Sequence, residues 1–394
     1  MTDARNKMGG PPMFFKLTDE QLMIQSMVRD FSRTVVAAKA AERDRTKEFP
    51  ADNFKRMGEL GLMGMMVPQE YGGSGADTIS YLLALSEIAY SCASTAVVMS
   101  VHNSIVCESL VRFAAEDQKK KFLARLAGAE IIGAFALTEP LAGSDPAAQR
   151  ATAVRDGRFY VLNGTKRFIT TGKNCGLVIV TAKTDPARGH RGISAFIVEK
   201  GTKGLAVGRE EEKMGLRASD TTDLVFEDCR VPAENLLGRE GDGFRIAMTG
   251  LDGGRIGIAA QSVGVAQAAF DAAVRYARER DQFGQKIAKF QGLRWMIADM
   301  AVEIEAARQL MFSAAAQKDR GENYTLEASM AKLFASEMVN RVTARALQIH
   351  GGYGFTGDYP VERLYRDARV FTIYEGTSEI QRVVISKHVL DNSR

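Results

Sequence analysis

The chain has few cysteines for its length. Cys92, Cys107, Cys175 and Cys229 are scattered through 394 residues with no CxxC and no paired spacing. That pattern offers neither a disulfide framework nor a zinc site, and it makes a reducing compartment the expectation. No metal site is expected. Long apolar runs are also missing. None approaches the roughly 18 to 20 residues of a membrane span, so no integral membrane segment is expected. Nor is there an excess of one charge. Against 52 basic side chains stand 48 acidic ones, leaving +4 with no basic block. This balance argues against nucleic acid as a partner. An anionic ligand must then be met by a few placed arginines and backbone amides. Met1 to Pro12 is polar, rich in Gly and Pro, and lacks an apolar signal core. It reads as a frayed tail. A cytoplasmic location is expected, with the mitochondrial matrix following only if a transit peptide has been removed. There is no internal repeat and no low-complexity tract.

The composition, 45% hydrophobic and 25% charged, is that of a globular protein with a large core. Three regions differ in their periodicity. Residues 1–130 read as an α-helical N-terminal domain. Thr18 with Gln21 makes a capping-box pattern, and a helix follows through Phe31 to Ala41. Further helices are expected near Phe54–Leu62, Ile79–Ser91 and Thr95–Phe113. The glycines of Pro68–Gly75 interrupt them. Residues 131–242 read as a β domain with short β-branched runs at Ala151–Val154, Phe159–Leu162, Arg167–Thr170, Leu177–Thr181, Ile193–Val198 and Leu224–Glu227. Asp156-Gly157 and Asn163-Gly164 are expected as turns between them. Close strands without intervening helices suggest an antiparallel, barrel-like domain or a sandwich. Residues 243–394 regain helical spacing, as in Val263, Ala266, Phe270, Ala273 and Ala277, or Met296, Met300, Ile304, Ala307 and Met311. With Leu326–His350 and Ser378–Leu390 they suggest a C-terminal four-helix bundle. The fold class is therefore mainly α with a central β domain.

Several segments could carry chemistry. Gly352–Gly357 matches GxGxxG, but a helix precedes it where a dinucleotide fingerprint needs a strand. Gly351 and Gly352 read as the C-cap of that helix. Thr138–Asp145 follows an apolar strand and offers amides and hydroxyls to a polar ligand, or is an ordinary polar turn. Leu251–Arg255 is placed at the start of a long helix. Its two glycines cost about 1 kcal/mol each, a cost more readily accepted if something packs closely there. Arg280 either complements a helix C-terminus or reaches a phosphate. Glu375 lies between Tyr374 and Gly376, just before a helix whose capping box is expected from Ser378 and Gln381. Apolar neighbours raise a carboxylate's pKa while a helix N-terminus lowers it. A base of moderate strength suits proton abstraction next to a carbonyl. Taken alone, the sequence physics favours a solvated surface glutamate at this position.

Together these segments resemble the acyl-CoA dehydrogenase family. The matching stretches are Pro68–Gly73, Ala136–Asp145, Asn163–Thr170, Leu251–Arg255, Arg280–Gly284, Gln348–Gly354 and Ile373–Gln381, in order and spacing. The likeness is greatest to short-chain and short/branched-chain members. It implies noncovalently bound FAD, a homotetramer built as a dimer of dimers, and α,β-dehydrogenation of a short acyl-CoA. It also implies electron-transfer flavoprotein as the acceptor. By this resemblance Phe135, Ala136, Leu137, Thr138, Gly143 and Ser144 line the flavin, with Phe168, Ile169 and Thr170 on its other side. Many relatives have tryptophan where Phe168 stands. Arg280, Phe283 and Gln291, with Gln348, Ile349, Gly351 and Gly352 from another subunit, hold the rest of FAD. Thr377 and Glu379 complete the flavin site. Ser144, Asp252, Arg255, Tyr374 and Gly376 meet the acyl-CoA. The catalytic base is Glu375. Some relatives carry the base immediately before the arginine of the Asp-x-x-Arg motif, but that position here is Gly254. Two alternatives stand beside this reading: an acyl-CoA oxidase using O2, and a non-catalytic assembly protein on the same fold.

Overall fold

The computed structural model describes residues 16–391. The tail expected at Met1–Pro12 lies outside them. The chain begins with α1 (Asp19–Phe31), closed by the expected capping box: Thr18 Oγ1 accepts from Gln21 N, and Gln21 Oε1 accepts from Thr18 N. The helical path continues past Phe31 as expected, but not uniformly. It widens to a π-turn over Ser32–Val36 and tightens to 3-10 geometry over Ala37–Lys39 before α2 (Ala40–Thr46). Then come α3 (Ala51–Glu59), α4 (Thr78–Ser91) and α5 (Ala93–Ser100). A π-helical stretch, Val101–Cys107, leads into α6 (Glu108–Phe113). The sequence reading did not foresee α7 (Glu116–Ala127).

The middle region holds β1 (Gly133–Ala136), β2 (Thr152–Asp156), β3 (Phe159–Thr170), β4 (Leu177–Lys183), β5 (Ile193–Glu199), β6 (Leu205–Glu210), β7 (Thr221–Pro232) and β8 (Leu236–Leu237). The strand order is β6-β7-β3-β2-β4-β5-β8, with β1 beside β4. Two expectations are corrected here. The sheet is open, not a closed barrel, and it is not wholly antiparallel, because β1 and β2 both run parallel to β4. The sheet instead folds over its own core, where Tyr160 and Phe196 meet with ring centroids 4.9 Å apart. Asn163-Gly164 is not a turn between two strands. It is an irregularity inside β3, where the register against β7 shifts and Gly164 takes φ +144°. β4 is buried on both faces. Val178 and Val180 enter the sheet core, while Leu177 and Ile179 pack with Val106, Leu110 and Phe122 of the helical region.

The last region is built on α8 (Gly243–Glu279), a 37-residue helix. The others are α9 (Gln291–Asp319), α10 (Thr325–His350), α11 (Val361–Ala368) and α12 (Ser378–Asp391). α8, α9, α10 and α12 form the expected bundle. α8 is also covered by α4 on another side. One continuous core therefore joins Leu82, Ile88 and Ala89 to Ala260, Val263 and Ala346. A helix buried on several sides needs small residues where a neighbour comes near. At Gly264 an added Cβ would overlap Ser86 O, 2.8 Å from Ala89 Cβ. Gly264→Ala must push α4 away from α8. A loss of about 1–3 kcal/mol follows, read as a lower urea midpoint.

Candidate active site

Glu375 is presented by a short turn between a 3-10 segment (Arg369–Thr372) and α12. Phe371 is buried and its ring stacks on that of Tyr374, 5.6 Å away and nearly parallel at 2°. The Tyr374 hydroxyl donates to Gln261 Oε1 of α8 at 2.7 Å. Beyond this anchor the backbone turns left-handed at two successive residues, Glu375 (φ +51°) and Gly376 (φ +91°). For a non-glycine residue that costs about 1–2 kcal/mol and must be held by its surroundings. Two donors converge on the Gly376 carbonyl: Lys332 Nζ of α10 at 2.7 Å and Gln381 Nε2 at 2.9 Å. The expected Ser378–Gln381 capping box is not formed. Thr377 Oγ1 caps α12 by accepting from Ile380 N, and the Gln381 side chain turns back to the Glu375–Gly376 carbonyls.

The Glu375 side chain is not a solvated surface group. The residue is half-buried, but Oε2 is sealed from solvent and has no hydrogen-bond partner. Burial pushes its pKa up to about 7, opposed by the positive charges of Lys332 and Arg255. Space for the carboxylate comes from α8, since a Cβ at Gly254 would overlap Glu375 Oε2. Gly253 serves a neighbour in the same way, because its Cβ would lie 2.8 Å from Glu108 Oε2. The Leu251–Arg255 motif therefore lies well inside α8 and not at its start. Its glycines are there for close approach. Asp252 Oδ1 accepts from Arg255 Nη1 at 2.6 Å, and Oδ2 accepts from Thr325 Oγ1 at 2.7 Å. Asp252, Arg255, Tyr374, Glu375 and Gly376 thus come together where α8, α10 and α12 meet.

The segment expected along one face of the flavin is fixed by a buried network. Lys166 Nζ donates to Leu137 O (3.0 Å), Glu139 Oε1 (2.8 Å) and Gln149 Oε1 (3.1 Å). Glu139 also accepts from Ala151 N, and Thr138 O accepts from Arg167 N. With its base held in this way, the loop leaves Gly143 and Ser144 exposed, and a Cβ at Gly143 would meet nothing within 4 Å. Phe135 and Ala136 lie on β1. Phe168 sits on a bulge at φ +59° and is 59% exposed. Thr170 is half-buried. Ile169 departs from expectation, because its side chain is buried in the sheet core and only its backbone remains to meet a ligand.

A second cluster lies far away. Arg280, Phe283, Gln348, Ile349, Gly351, Gly352 and Tyr353 line a groove of about 630 Å³. Phe283 is 93% exposed, and Gly351 and Gly352 have open space where a Cβ would stand. Gln291 is exposed at the start of α9, and Glu379 is exposed on α12. The expectation set Arg280 apart from a Gln348–Gly352 segment supplied by another subunit. In fact one chain brings the two together at the far end of α8. As expected, α10 ends at Gly351 (φ +59°) with no strand before the GxGxxG letters. Sequence reasoning missed Lys332, Gln261 and the Lys166 network. Lys332 left one signal, a charge in the apolar stripe with Ala328, Ala335 and Val339.

The family descriptions "Acyl-CoA dehydrogenase, N-terminal domain", "middle domain" and "C-terminal domain" match residues 18–130, 134–229 and 241–390. The chain belongs to the acyl-CoA dehydrogenase family. It is 51% identical to the short-chain specific acyl-CoA dehydrogenase of Clostridium acetobutylicum, over 95% of this chain and 99% of that one. Butyryl-CoA dehydrogenase from Megasphaera elsdenii superposes with a TM-score of 0.94 at 44% identity, covering 96% and 100% of the two chains. A chain in a structure of the electron transferring flavoprotein of Acidaminococcus fermentans superposes at 0.95 with 48% identity, covering 96% and 99%. The protein is an FAD-dependent oxidoreductase. The exposed Phe168 ring, the open backbone at Gly143 and the glycine-lined groove near Arg280 fit a flat aromatic cofactor with a diphosphate arm. The wedge at Gly254 gives a direct test. Gly254→Ala displaces the Glu375 carboxylate, so dehydrogenase turnover is expected to fall at least about 100-fold while FAD content is unchanged. Equal turnover would show that the close approach is dispensable.

Proposed function

We propose that this protein removes hydrogen across the Cα–Cβ bond of a short acyl-CoA, straight or methyl-branched, with Glu375 taking the α-proton. The observation that carries the reading is the sealed, unpartnered Glu375 carboxylate, raised to about 7 and wedged against Gly254. Such a group is ionised enough near neutral pH to accept a proton and basic enough to keep it. The α-proton is weakly acidic, so negative charge developing on the thioester oxygen needs a donor. Among the described residues the Glu375 N–H makes no hydrogen bond, which leaves it free for that task. Asp252, Arg255, Tyr374, Gly376 and Ser144 are assigned to the acyl-CoA. When bound, FAD accepts the β-hydride. Phe135–Thr138, Gly143, Ser144, Phe168–Thr170, Thr377 and Glu379 are assigned to its flavin part. The short acyl chain follows the C. acetobutylicum and M. elsdenii relatives, and electron-transfer flavoprotein as acceptor follows the A. fermentans structure.

The position of the second cluster supports a dimer-based assembly. At the helix rise, Gly254 and Glu279 are roughly 38 Å apart along α8. FAD held beside Glu375 does not span that length, so the groove of Arg280, Phe283, Gln291 and Gln348–Gly352 is assigned to the diphosphate and adenosine part of the FAD of a second subunit. Exposed Phe283, Phe355, Trp295 and Val302 on the bundle are consistent with a homotetramer. Folding units at 1–130, 131–242 and 243–394 and a cytoplasmic location complete the proposal. No helix among the described residues is long and apolar enough to cross a membrane.

Glu375→Gln tests the base. The variant is expected to retain FAD and bind acyl-CoA, yet fail to bleach the flavin anaerobically; substantial bleaching would sink the assignment. In the unmodified protein, butyryl-, isobutyryl- and 2-methylbutyryl-CoA are expected to bleach faster than octanoyl-CoA. The base works only when deprotonated and its pKa is raised, so kcat/KM should fall about tenfold per pH unit below about pH 7. A profile flat down to pH 5 contradicts this.

A further inference from the structure

Among the described residues two lysines, Lys166 and Lys332, are fully buried and Lys318 is half-buried in an ion pair, and Lys332 is unlike the other two. Lys166 contacts Glu139 at 2.8 Å, and Lys318 contacts Glu108 at 2.6 Å. Lys332, at 0% exposure, forms no ion pair with a carboxylate among the described residues. Its ammonium donates to a neutral atom, the Gly376 carbonyl. Burying an ammonium without a paired anion is costly, so its surroundings need to supply negative charge nearby. The charged groups around it are Glu375 in the turn, Arg255 on α8, Glu337 on its own helix and Glu379 on α12. Glu337 and Glu379 are exposed, and Arg255 is a cation already joined to Asp252. Glu375 is left as the buried anion for Lys332. The relation also holds from the other side. The cations acting on the Glu375 carboxylate are Lys332 from α10 and Arg255 from α8, and its charge is felt in turn by Tyr81 on α4 and by Tyr374. Lys332 is the stronger of the two cations acting on it.

We propose that Lys332 is a positioning residue for the proton-abstracting carboxylate: its buried ammonium holds the left-handed Glu375–Gly376 turn and supplies the positive charge against which Glu375 ionises. The proposal rests on Glu375 being the base. In the reaction the α-proton moves to the Glu375 carboxylate while Lys332 stays protonated throughout. Burial lowers the Lys332 pKa to about 8, which still leaves it mostly charged at neutral pH. Its charge therefore helps keep Glu375 ionised before the proton moves and favours the anion that develops on the thioester afterwards. A lysine that only filled the core could be replaced by an isosteric apolar residue with no change in the proton affinity of Glu375.

The test uses FAD-loaded Lys332→Met, Lys332→Gln and Lys332→Arg. Two quantities are followed against pH: the acid limb of kcat/KM with butyryl-CoA, and the infrared carboxylic-acid band of Glu375, identified by its absence in Glu375→Gln. Loss of the positive charge is expected to move both limb and band upward by about one pH unit in Met and in Gln. Lys332→Gln keeps a donor for Gly376 O and still shifts, which separates charge from hydrogen bonding and serves if Lys332→Met does not fold. Lys332→Arg is expected to return the band to its original position. An unshifted band in the Met or Gln variant overturns the proposal. The band reports proton affinity whether or not Glu375 is the base. Failure of the base assignment shows separately, as turnover that persists in Glu375→Gln.

Discussion

The Glu375 carboxylate occupies its place because α8 has no side chain at Gly254, and any larger residue there would claim the same space. Much of the architecture maintains that contact. A helix carrying Gly253, Gly254 and Gly257 in its interior gives up about 1 kcal/mol of propensity at each. Tertiary packing offsets this by enclosing α8 among α4, α9 and α10 in one core. The Glu375 loop is fixed from the other side by Tyr374 on Gln261 and by the two donors on the Gly376 carbonyl. A shift of α8 or of the loop by an ångström would open the wedge and let water reach Oε2.

The wedge sets the chemistry through a balance of opposing terms. Desolvation favours the neutral acid, while Lys332 and Arg255 favour the anion. Burial prevails in part, leaving a carboxylate that titrates close to neutrality. A fully solvated glutamate would be too weak a base, and a fully isolated one would stay protonated. Arg255 is tied to Asp252 and Ser329, so its position is set by α8 and α10 and not by the loop it influences.

Periodic features were legible in the sequence. The Thr18–Gln21 box and the apolar stripes of α8 and α9 follow from spacing alone. Features that depend on distant neighbours were not. The glycines at 253 and 254 looked like a helix start because glycine is poor in helix interiors; only the Glu108 and Glu375 carboxylates beside them explain their place. Asn163-Gly164 carried a turn signal, yet β7 holds both halves of β3 in one strand with a register shift. Lys332 drew no reading, since nothing local indicates that Gly376 and Glu375 lie against it. Glu375 itself was favoured only by the order of motifs along the chain, and its surroundings in the fold give that choice a physical basis.

The separation along α8 leads to the proposal that quaternary structure is part of the cofactor site, while the proposed proton abstraction stays within one chain. In the proposed reading the thioester lies over Gly254, against Glu375 and away from the Glu108–Lys318 pair that lies beside Gly253. A crystal structure of the FAD-loaded protein with a non-reacting acyl-CoA analogue tests this most directly. A Glu375 carboxylate oxygen is expected within about 3–3.5 Å of the analogue's α-carbon, in reach for proton transfer. An α-carbon nearer to Glu108 or Asp252, with Glu375 turned away from the ligand, would contradict it.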